Sequence, residues 1–548
     1  MLRKIDILLA VSSSILLSFS FSTLNLSFLA WIGLVPLFFA LQGLRPKQAF
    51  IISYLCGFLF FLSSMYWLIH VTLFGWIILS LYQALYFGLF GFFYCLVIPA
   101  QARIHKIKFT PYVFLPALWV LLEYLRANFC GGIGWNLLGY SQYENIPIIQ
   151  IADITGVYGI TFLVVLVNFS VFSVIKMAIR CQGVHKRLFA RSQFSLKEEI
   201  AQNPLFQTAA VFLVVVCVLL YGQRRVDALD KESASLGDVK ISVIQGNIEQ
   251  PYKWDKAYKN SIMEAYKNLT IKVAQEKPGL IIWPETSLPG YPDRDRGLMR
   301  YIKDLAREVN IPILVGAPMV AVKSGEDVGD YNSALLFSGK GRLLDQYNKL
   351  HLVMFGEFIP LGRYFPLLRR ILPVIGNFIP GDKYKVFKLA TNDYRPQPMA
   401  DPPPAEATKF STLICFEDIF PVLSRQFVKN GADFIVNITN DAWFGPTSAA
   451  YQHAANSVFR AVENRRPFIR SANTGLSCFI DRIGRIYSKV SSNGNDLFIR
   501  GYDTASLALL TNSALTFYTR FGDIFVVLCF ILSLLFIIDY IRSHRYNN

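Results

Sequence analysis

Leu413-Ile414-Cys415-Phe416-Glu417-Asp418 is the stretch on which the reading of this chain turns. The apolar run from Phe410 to Phe416 predicts a buried strand, and it ends in a thiol with two carboxylates at a strand-to-helix turn. Nucleophiles suit such a turn because the strand end is rigid and the helix start offers backbone N–H groups to a developing anion. The same cysteine also suits an ordinary core position, since free Cys is among the most buried residue types. Taken alone, the stretch leaves both readings open.

Around it, apolar runs of strand length alternate with helical stretches. Strands are expected at 239–245, 280–283, 313–316, 333–338, 412–416, 434–439, 468–472 and 477–481, and helices at 256–276, 298–309, 421–430 and 449–465. This alternation predicts an α/β layer fold with sheets covered by helices. The Pro-rich 395–404 reads as a loop or hairpin tip. Two more polar residues follow strand-like segments: Glu285 after Ile281-Ile282-Trp283-Pro284, and Lys349 in Tyr347-Asn348-Lys349-Leu350-His351-Leu352. Singly, the first is a turn or helix-capping carboxylate and the second a solvated lysine. With Cys415 they supply a carboxylate base, a cationic oxyanion partner and a thiol, which is the equipment of acyl transfer through a thioester.

The rest of the chain is of another kind. Of 548 residues, 53% are hydrophobic and 17% charged, where soluble domains carry about a quarter charged. Apolar spans at 7–21, 26–41, 49–72, 76–99, 112–125, 157–177, 205–221 and 524–541 predict a multi-pass membrane protein of eight helices. The first span has the basic start of a secretory signal, Arg3 and Lys4, but no small-residue cleavage site follows, so it is read as a helix. Arg3, Lys4, Arg45, Lys47, Arg103, Lys106, Lys108, Lys186, Arg187, Arg191, Arg542 and Arg545 then fall on one side, while loops 22–25 and 71–75 carry no charge. The positive-inside rule places both termini in the cytoplasm and the polar domain outside, which is the periplasm if the cell is Gram-negative. The expected organisation is 1–225 for helices one to seven, 226–510 for the external domain, and 511–548 for helix eight and a cytoplasmic tail.

The formal charge of +16 is read as loop charge and a basic face toward lipid head groups. Nucleic acid is not expected: there is no Arg-rich RNA motif, zinc-finger spacing or Gly-rich phosphate loop. No ligand spacing suggests a metal, and no cofactor is expected. Cys415 and Cys478, the two thiols of the external domain, are expected to be free although that compartment favours disulfides. The loop Gly131-Gly132-Ile133-Gly134-Trp135-Asn136-Leu137-Leu138-Gly139-Tyr140 is either an interfacial aromatic belt with turn glycines or a floor under the external domain.

Trp283-Pro284-Glu285, Asn348-Lys349 and Cys415-Phe416-Glu417, in this order, resemble the nitrilase superfamily with its Glu-Lys-Cys triad. The surroundings narrow the match. Val243-Ile244-Gln245-Gly246-Asn247-Ile248, Trp254-Asp255, Tyr331-Asn332-Ser333 and Phe355-Gly356-Glu357-Phe358-Ile359-Pro360 are similar to the apolipoprotein N-acyltransferase family. So are Gly139-Tyr140-Ser141-Gln142 and Gly156-Val157-Tyr158-Gly159. The family commonly has Tyr where Phe416 stands and Pro where Met354 stands, so a hydroxyl is missing beside the thiol.

The resemblance implies an αββα sandwich inserted before the last helix of a bacterial inner-membrane protein. It further implies transfer of an acyl chain from a phospholipid, sn-1 of phosphatidylethanolamine, to the α-amino group of a diacylglyceryl-cysteine at an apolipoprotein N-terminus. Cys415 would be the nucleophile, Glu285 the proton acceptor and Lys349 the oxyanion partner. Glu357 and Glu417 would be supporting carboxylates, with Trp254, Asn332, Phe416 and Phe358 contacting substrate. A monomer is the expectation. A membrane-tethered amidase would share the triad, though it would not need eight helices. A transporter would carry charge near mid-membrane, whereas Glu123, Arg126 and Lys176 lie near span ends. Finally, 355–380 mixes apolar residues with Arg363, Arg369 and Arg370, and Pro360, Pro366, Pro373 and Pro380 break any long helix. It reads as a core segment or as a rim dipping toward the bilayer.

Overall fold

The computed structural model describes residues 3–101, 111–183, 204–233, 238–323, 326–354, 356–358, 378–389, 408–509 and 514–545. The Pro-rich 395–404, residues 355 and 359–377 of the expected rim, and the basic residues Arg103, Lys106, Lys108, Lys186, Arg187 and Arg191 lie outside them. The chain divides into two compact units, Met1–Val226 with Asp523–Asn548, and Asp227–Gly522.

The first unit is helical. Three of its described helices, Pro46–Ser64, Leu73–Leu96 and Val157–Ile179, and the helix Pro204–Ser233 that runs past its boundary at Val226, are long and apolar enough to cross a membrane. Shorter apolar helices include Lys4–Phe19 and Pro111–Asn128, and Ile524–Arg545 packs on the latter with Phe536 stacked on Phe114 at 4.3 Å. The continuous span expected at 26–41 is broken into a 3-10 turn, Ser27–Trp31, and a short helix, Val35–Ala40. Asn168 makes the break tolerable, because it accepts from Leu34 N at 2.7 Å and donates to Ala30 O at 2.8 Å. A backbone interrupted inside an apolar unit needs such side-chain partners.

The Gly- and Trp-rich loop after Pro111–Asn128 is no exposed belt. Trp135, Leu137, Leu138 and Tyr140 are buried in the unit. Arg126 donates to the carbonyls of Ile133, Trp135 and Asn136 at 3.2, 2.7 and 3.3 Å, and Glu123 accepts from Leu138 N at 2.9 Å. The two charges are therefore fasteners for loop backbone that would otherwise be unsatisfied.

The second unit is a four-layer sandwich. One sheet has the order β12-β1-β2-β3-β4-β5, with β1 Asp238–Gln245, β2 Leu280–Ile282, β3 Ile313–Lys323, β4 Glu326–Phe337, β5 Leu343–Asn348 and β12 Gly501–Ala508. The other has the order β11-β10-β9-β8-β7-β6, with β6 Phe387–Leu389, β7 Thr408–Ile414, β8 Phe434–Thr439, β9 Phe468–Ala472, β10 Cys478–Ile480 and β11 Ile486–Lys489. Helices Lys259–Ala274 and Arg296–Val309 cover the first sheet; Pro421–Lys429 and Ala449–Asn464 cover the second. The sheets meet through Ser471, whose hydroxyl donates to Ile244 O and Ile282 O, both at 3.2 Å.

The central strands β1-β2-β3 and β7-β8-β9 run parallel and are buried on both faces, which explains their near-continuous apolar sequences. β6, β11 and β12 were not expected from the sequence. All three lie at or next to a sheet edge, where alternating exposed residues such as Tyr487 and Lys489 hide the strand pattern. Two boundaries also differ. The β3–β4 hairpin runs beyond the apolar core, and β7 ends at Ile414, so Cys415 lies past the strand rather than inside it.

Candidate active site

Cys415 opens a 3-10 turn, Cys415–Ile419, before the helix at Pro421. Its φ of 54° is left-handed, a strained conformation for a side chain with a Cβ. Asn437 of β8 holds this corner by donating from Nδ2 to Cys415 O at 2.9 Å. The thiol thus sits half-buried on the turn, displaced from the run of the strand.

Glu285 sits on the turn after β2. Thr286 has φ 43°, and the turn lies so close to β3 that a Cβ on Gly316 would come within 2.4 Å of Pro284 O. Only glycine allows Gly316 O to accept there from Ser287 N at 2.8 Å. The Glu285 Oε1 accepts from Asn332 Nδ2 at 2.7 Å and lies 3.9 Å from Lys349 Nζ. Lys349, 1% exposed, follows β5 and pairs at 2.9 Å with Glu357 Oε1, which also accepts from Asn332 Nδ2 at 3.1 Å. The other Glu357 oxygen accepts from Val353 N at 2.8 Å.

Glu417 joins the Lys349 loop to the Cys415 turn. It accepts from Leu350 N at 2.7 Å, His351 N at 3.0 Å, Ile414 N at 2.8 Å and Tyr347 Oη at 2.9 Å. Glu285, Asn332, Lys349, Glu357 and Glu417 are therefore drawn into one connected site, with Cys415 at its corner. Phe416 packs edge-on to Phe420, while Phe358 forms an isolated bridge with Met354. Trp254 is 45% exposed on the loop after β1, so neither it nor Phe358 is part of the hydrogen-bonded set. Tyr347, Asn437 and the buried Lys253 were not singled out in the sequence. An apolar neighbourhood hides a Tyr, and nothing local to Lys253 signals burial.

The electrostatics suit proton transfer. Burial raises the affinity of Glu285 for a proton, Glu357 adds to this, and Lys349 and Lys253 oppose it. For the Cys415 thiol, burial and then Glu285 push its pKa up, against Lys349 and a hydrogen bond with Thr439. Burial disfavours the Lys349 ammonium, yet Glu357, Glu285 and Cys415 outweigh it and keep the group charged. Among the described residues, no group of three His, Cys, Asp or Glu side chains is placed to hold a metal ion.

The constellation of a carboxylate and an ammonium at strand ends of one sheet and a thiol at a strand end of the other invites comparison with known proteins. Residues 240–510 match the carbon-nitrogen hydrolase family, and residues 13–170 match the apolipoprotein N-acyltransferase N-terminal domain. An apolipoprotein N-acyltransferase of Geobacter metallireducens is 34% identical over 96% of this chain and 93% of its own. The chain belongs to the apolipoprotein N-acyltransferase family. A second member, from Chlorobaculum tepidum, is 30% identical over 95% of this chain and 94% of its own. Membership makes the chain an acyltransferase, and the second unit carries the carbon-nitrogen hydrolase fold. The apolar helices of the first unit agree with a membrane protein.

Proposed function

We propose that the chain transfers an acyl chain from a phospholipid, sn-1 of phosphatidylethanolamine, to the α-amino group of a diacylglyceryl-cysteine at an apolipoprotein N-terminus. The observation that carries this is the half-buried Cys415 at the corner of the hydrogen-bonded set that holds Glu285 and Lys349, joined to it through Glu417. In the first half-reaction the Glu285 carboxylate takes the thiol proton and the Cys415 sulfur attacks the ester carbonyl carbon. Lys349 steadies the oxyanion. The C–O bond then breaks, and the departing lysophospholipid oxygen takes the proton from Glu285. In the second, the amine nitrogen attacks the thioester carbonyl, the C–S bond breaks, and Glu285 relays the amine proton to the sulfur. A covalent intermediate lets one bulky lipid leave before the next arrives. Asn332 and Glu357 hold Glu285 and Lys349, Glu417 holds the turn, and Trp254, Phe358 and Phe416 contact substrate.

The proposal includes placement: eight spans in the bacterial inner membrane, both termini cytoplasmic and the second unit periplasmic, as a monomer. The charge asymmetry of the short loops supports it. A reporter fused after Arg191 that is active only in the periplasm would overturn this orientation. For the chemistry, the protein is incubated with phosphatidylethanolamine alone and its intact mass recorded. An added acyl mass, labile to hydroxylamine and mapped to Cys415, is expected before any peptide is supplied; normal turnover by Cys415→Ala would sink the reading.

A further inference from the structure

Lys253 follows the 3-10 turn Gln250–Tyr252 on the loop after β1, and it is only 3% exposed. Its neighbour Trp254 is 45% exposed, so consecutive side chains go to opposite environments. A lysine normally keeps its ammonium in water, and burying one is costly unless partners compensate. Here Nζ donates to Glu285 O at 3.0 Å, at the corner of the turn that carries the carboxylate. The ammonium also interacts with the Glu285 carboxylate and with the Cys415 thiol.

Charge balance gives this placement a purpose. Before proton transfer, Glu285 and Glu357 carry two negative charges against one positive charge on Lys349. After it, Glu285 is neutral, but the thiolate takes its place, so one negative charge stays uncompensated in either state. The donors to Glu417 are neutral backbone N–H groups and Tyr347, which bring no positive charge, and Asp441 adds a further negative influence on the thiol. We propose that Lys253 is the second cation of the thiol site, a positioning residue that fixes the Glu285 turn and balances the thiolate charge. Burial pulls its pKa down to about 8, with Glu285 and then Cys415 opposing the fall. Its charge is therefore present at neutral pH and is lost in mildly alkaline solution.

This inference rests on reading Cys415 as the nucleophile, and its test uses the thiol alone. Full-length protein in detergent is treated with iodoacetamide between pH 6 and 10 (about the range over which thiols and buried lysines titrate), and alkylation of Cys415 is followed by peptide mass. Lys253→Met should slow alkylation at neutral pH about tenfold, equivalent to a thiol pKa one unit higher. Lys253→Arg, which keeps the charge, should restore most of the rate. Buried Cys478 is the control for folding, since it stays unmodified in a folded variant. Superimposable profiles for wild type and Lys253→Met would overturn the proposal. So would a Lys253→Arg variant, folded by the Cys478 control, that is as slow as Lys253→Met. No lipid or peptide is present, so the outcome is independent of the acyl donor and acceptor; turnover by Cys415→Ala tests the nucleophile separately.

Discussion

Glu417 and Asp418 are consecutive carboxylates on one turn, yet they serve two different clusters of buried charge. Glu417 faces the thiol site and holds the Lys349 loop through backbone N–H groups. Asp418 faces inward, where it accepts from His453 Nε2 at 2.9 Å, Ser457 Oγ at 2.6 Å and Arg470 Nη1 at 2.7 Å. His453 then bridges to Asp441 through Nδ1 at 2.9 Å. All four ionisable groups of this inner set are 1% exposed or less. The thiol site is looser: Lys349 and Glu285 are 3.9 Å apart and Cys415 is half-buried. The gap lies between Lys349 and Glu285 alone, since Glu285 and Lys349 each keep a short contact, to Asn332 at 2.7 Å and to Glu357 at 2.9 Å. In the inner set the charges of Asp418, His453 and Arg470 are locked by hydrogen bonds of 2.7 to 2.9 Å.

The largest effect should come from breaking the inner set. Arg470→Met leaves Asp418 and Asp441 without their guanidinium and should cost about 3–5 kcal/mol, seen as a large fall in melting temperature of the detergent-solubilised protein. An unchanged melting temperature would remove the distinction between the clusters. The outer set should respond in the opposite way. Glu285→Gln and Lys349→Met should each lower Cys415 acylation on the order of 10²–10³-fold, and in Glu285→Gln, which leaves Lys349 paired with Glu357, stability should change by less than about 1 kcal/mol. Loss of stability together with activity would mean that the outer set, too, is structural.

pH sharpens the same contrast. Burial works against a charged His453, but Asp418 outweighs it and raises its pKa from 6.5 to about 9. A group with a raised folded-state pKa contributes stability fully below its ordinary value and loses that contribution as pH rises through the folded one. Stability should therefore fall between pH 6.5 and about 9, by up to about 3 kcal/mol if this shift acts alone. In His453→Gln this fall should be absent, leaving the smaller opposing rise above about pH 8 that the depressed Lys253 contributes. The smallest effect belongs to Cys478, which begins β10 and whose thiol burial pushes up to about 12. Cys478→Ala should leave acylation unchanged and cost about 1 kcal/mol of stability at most, the value of a small buried group.

Much of this was legible along the chain, for a local reason. A strand buried on both faces must be apolar throughout, so β2, β7, β8 and β9 announce themselves, and Cys415, Glu285 and Lys349 stand out as polar residues at the ends of apolar runs. Membrane-length helices declare themselves by the same logic, since length and hydropathy need no partner. Legibility fails where the partner is remote. The donors to Glu417 from the Lys349 loop lie 66 to 70 residues upstream, so no local pattern separates its role from that of Asp418. Asn168 stitches a broken span 134 residues before it. Edge strands, half in solvent, carry polar alternation that reads as loop. The sequence by itself determined the alternation of strands with covering helices, the apolar helices and the three polar side chains that end apolar runs, because these follow from burial and residue type. Only the tertiary structure decided the left-handed corner at Cys415, the burial of Lys253 and the division of two adjacent carboxylates between a working site and its support. Each of these depends on groups that come together only when the sheets pack.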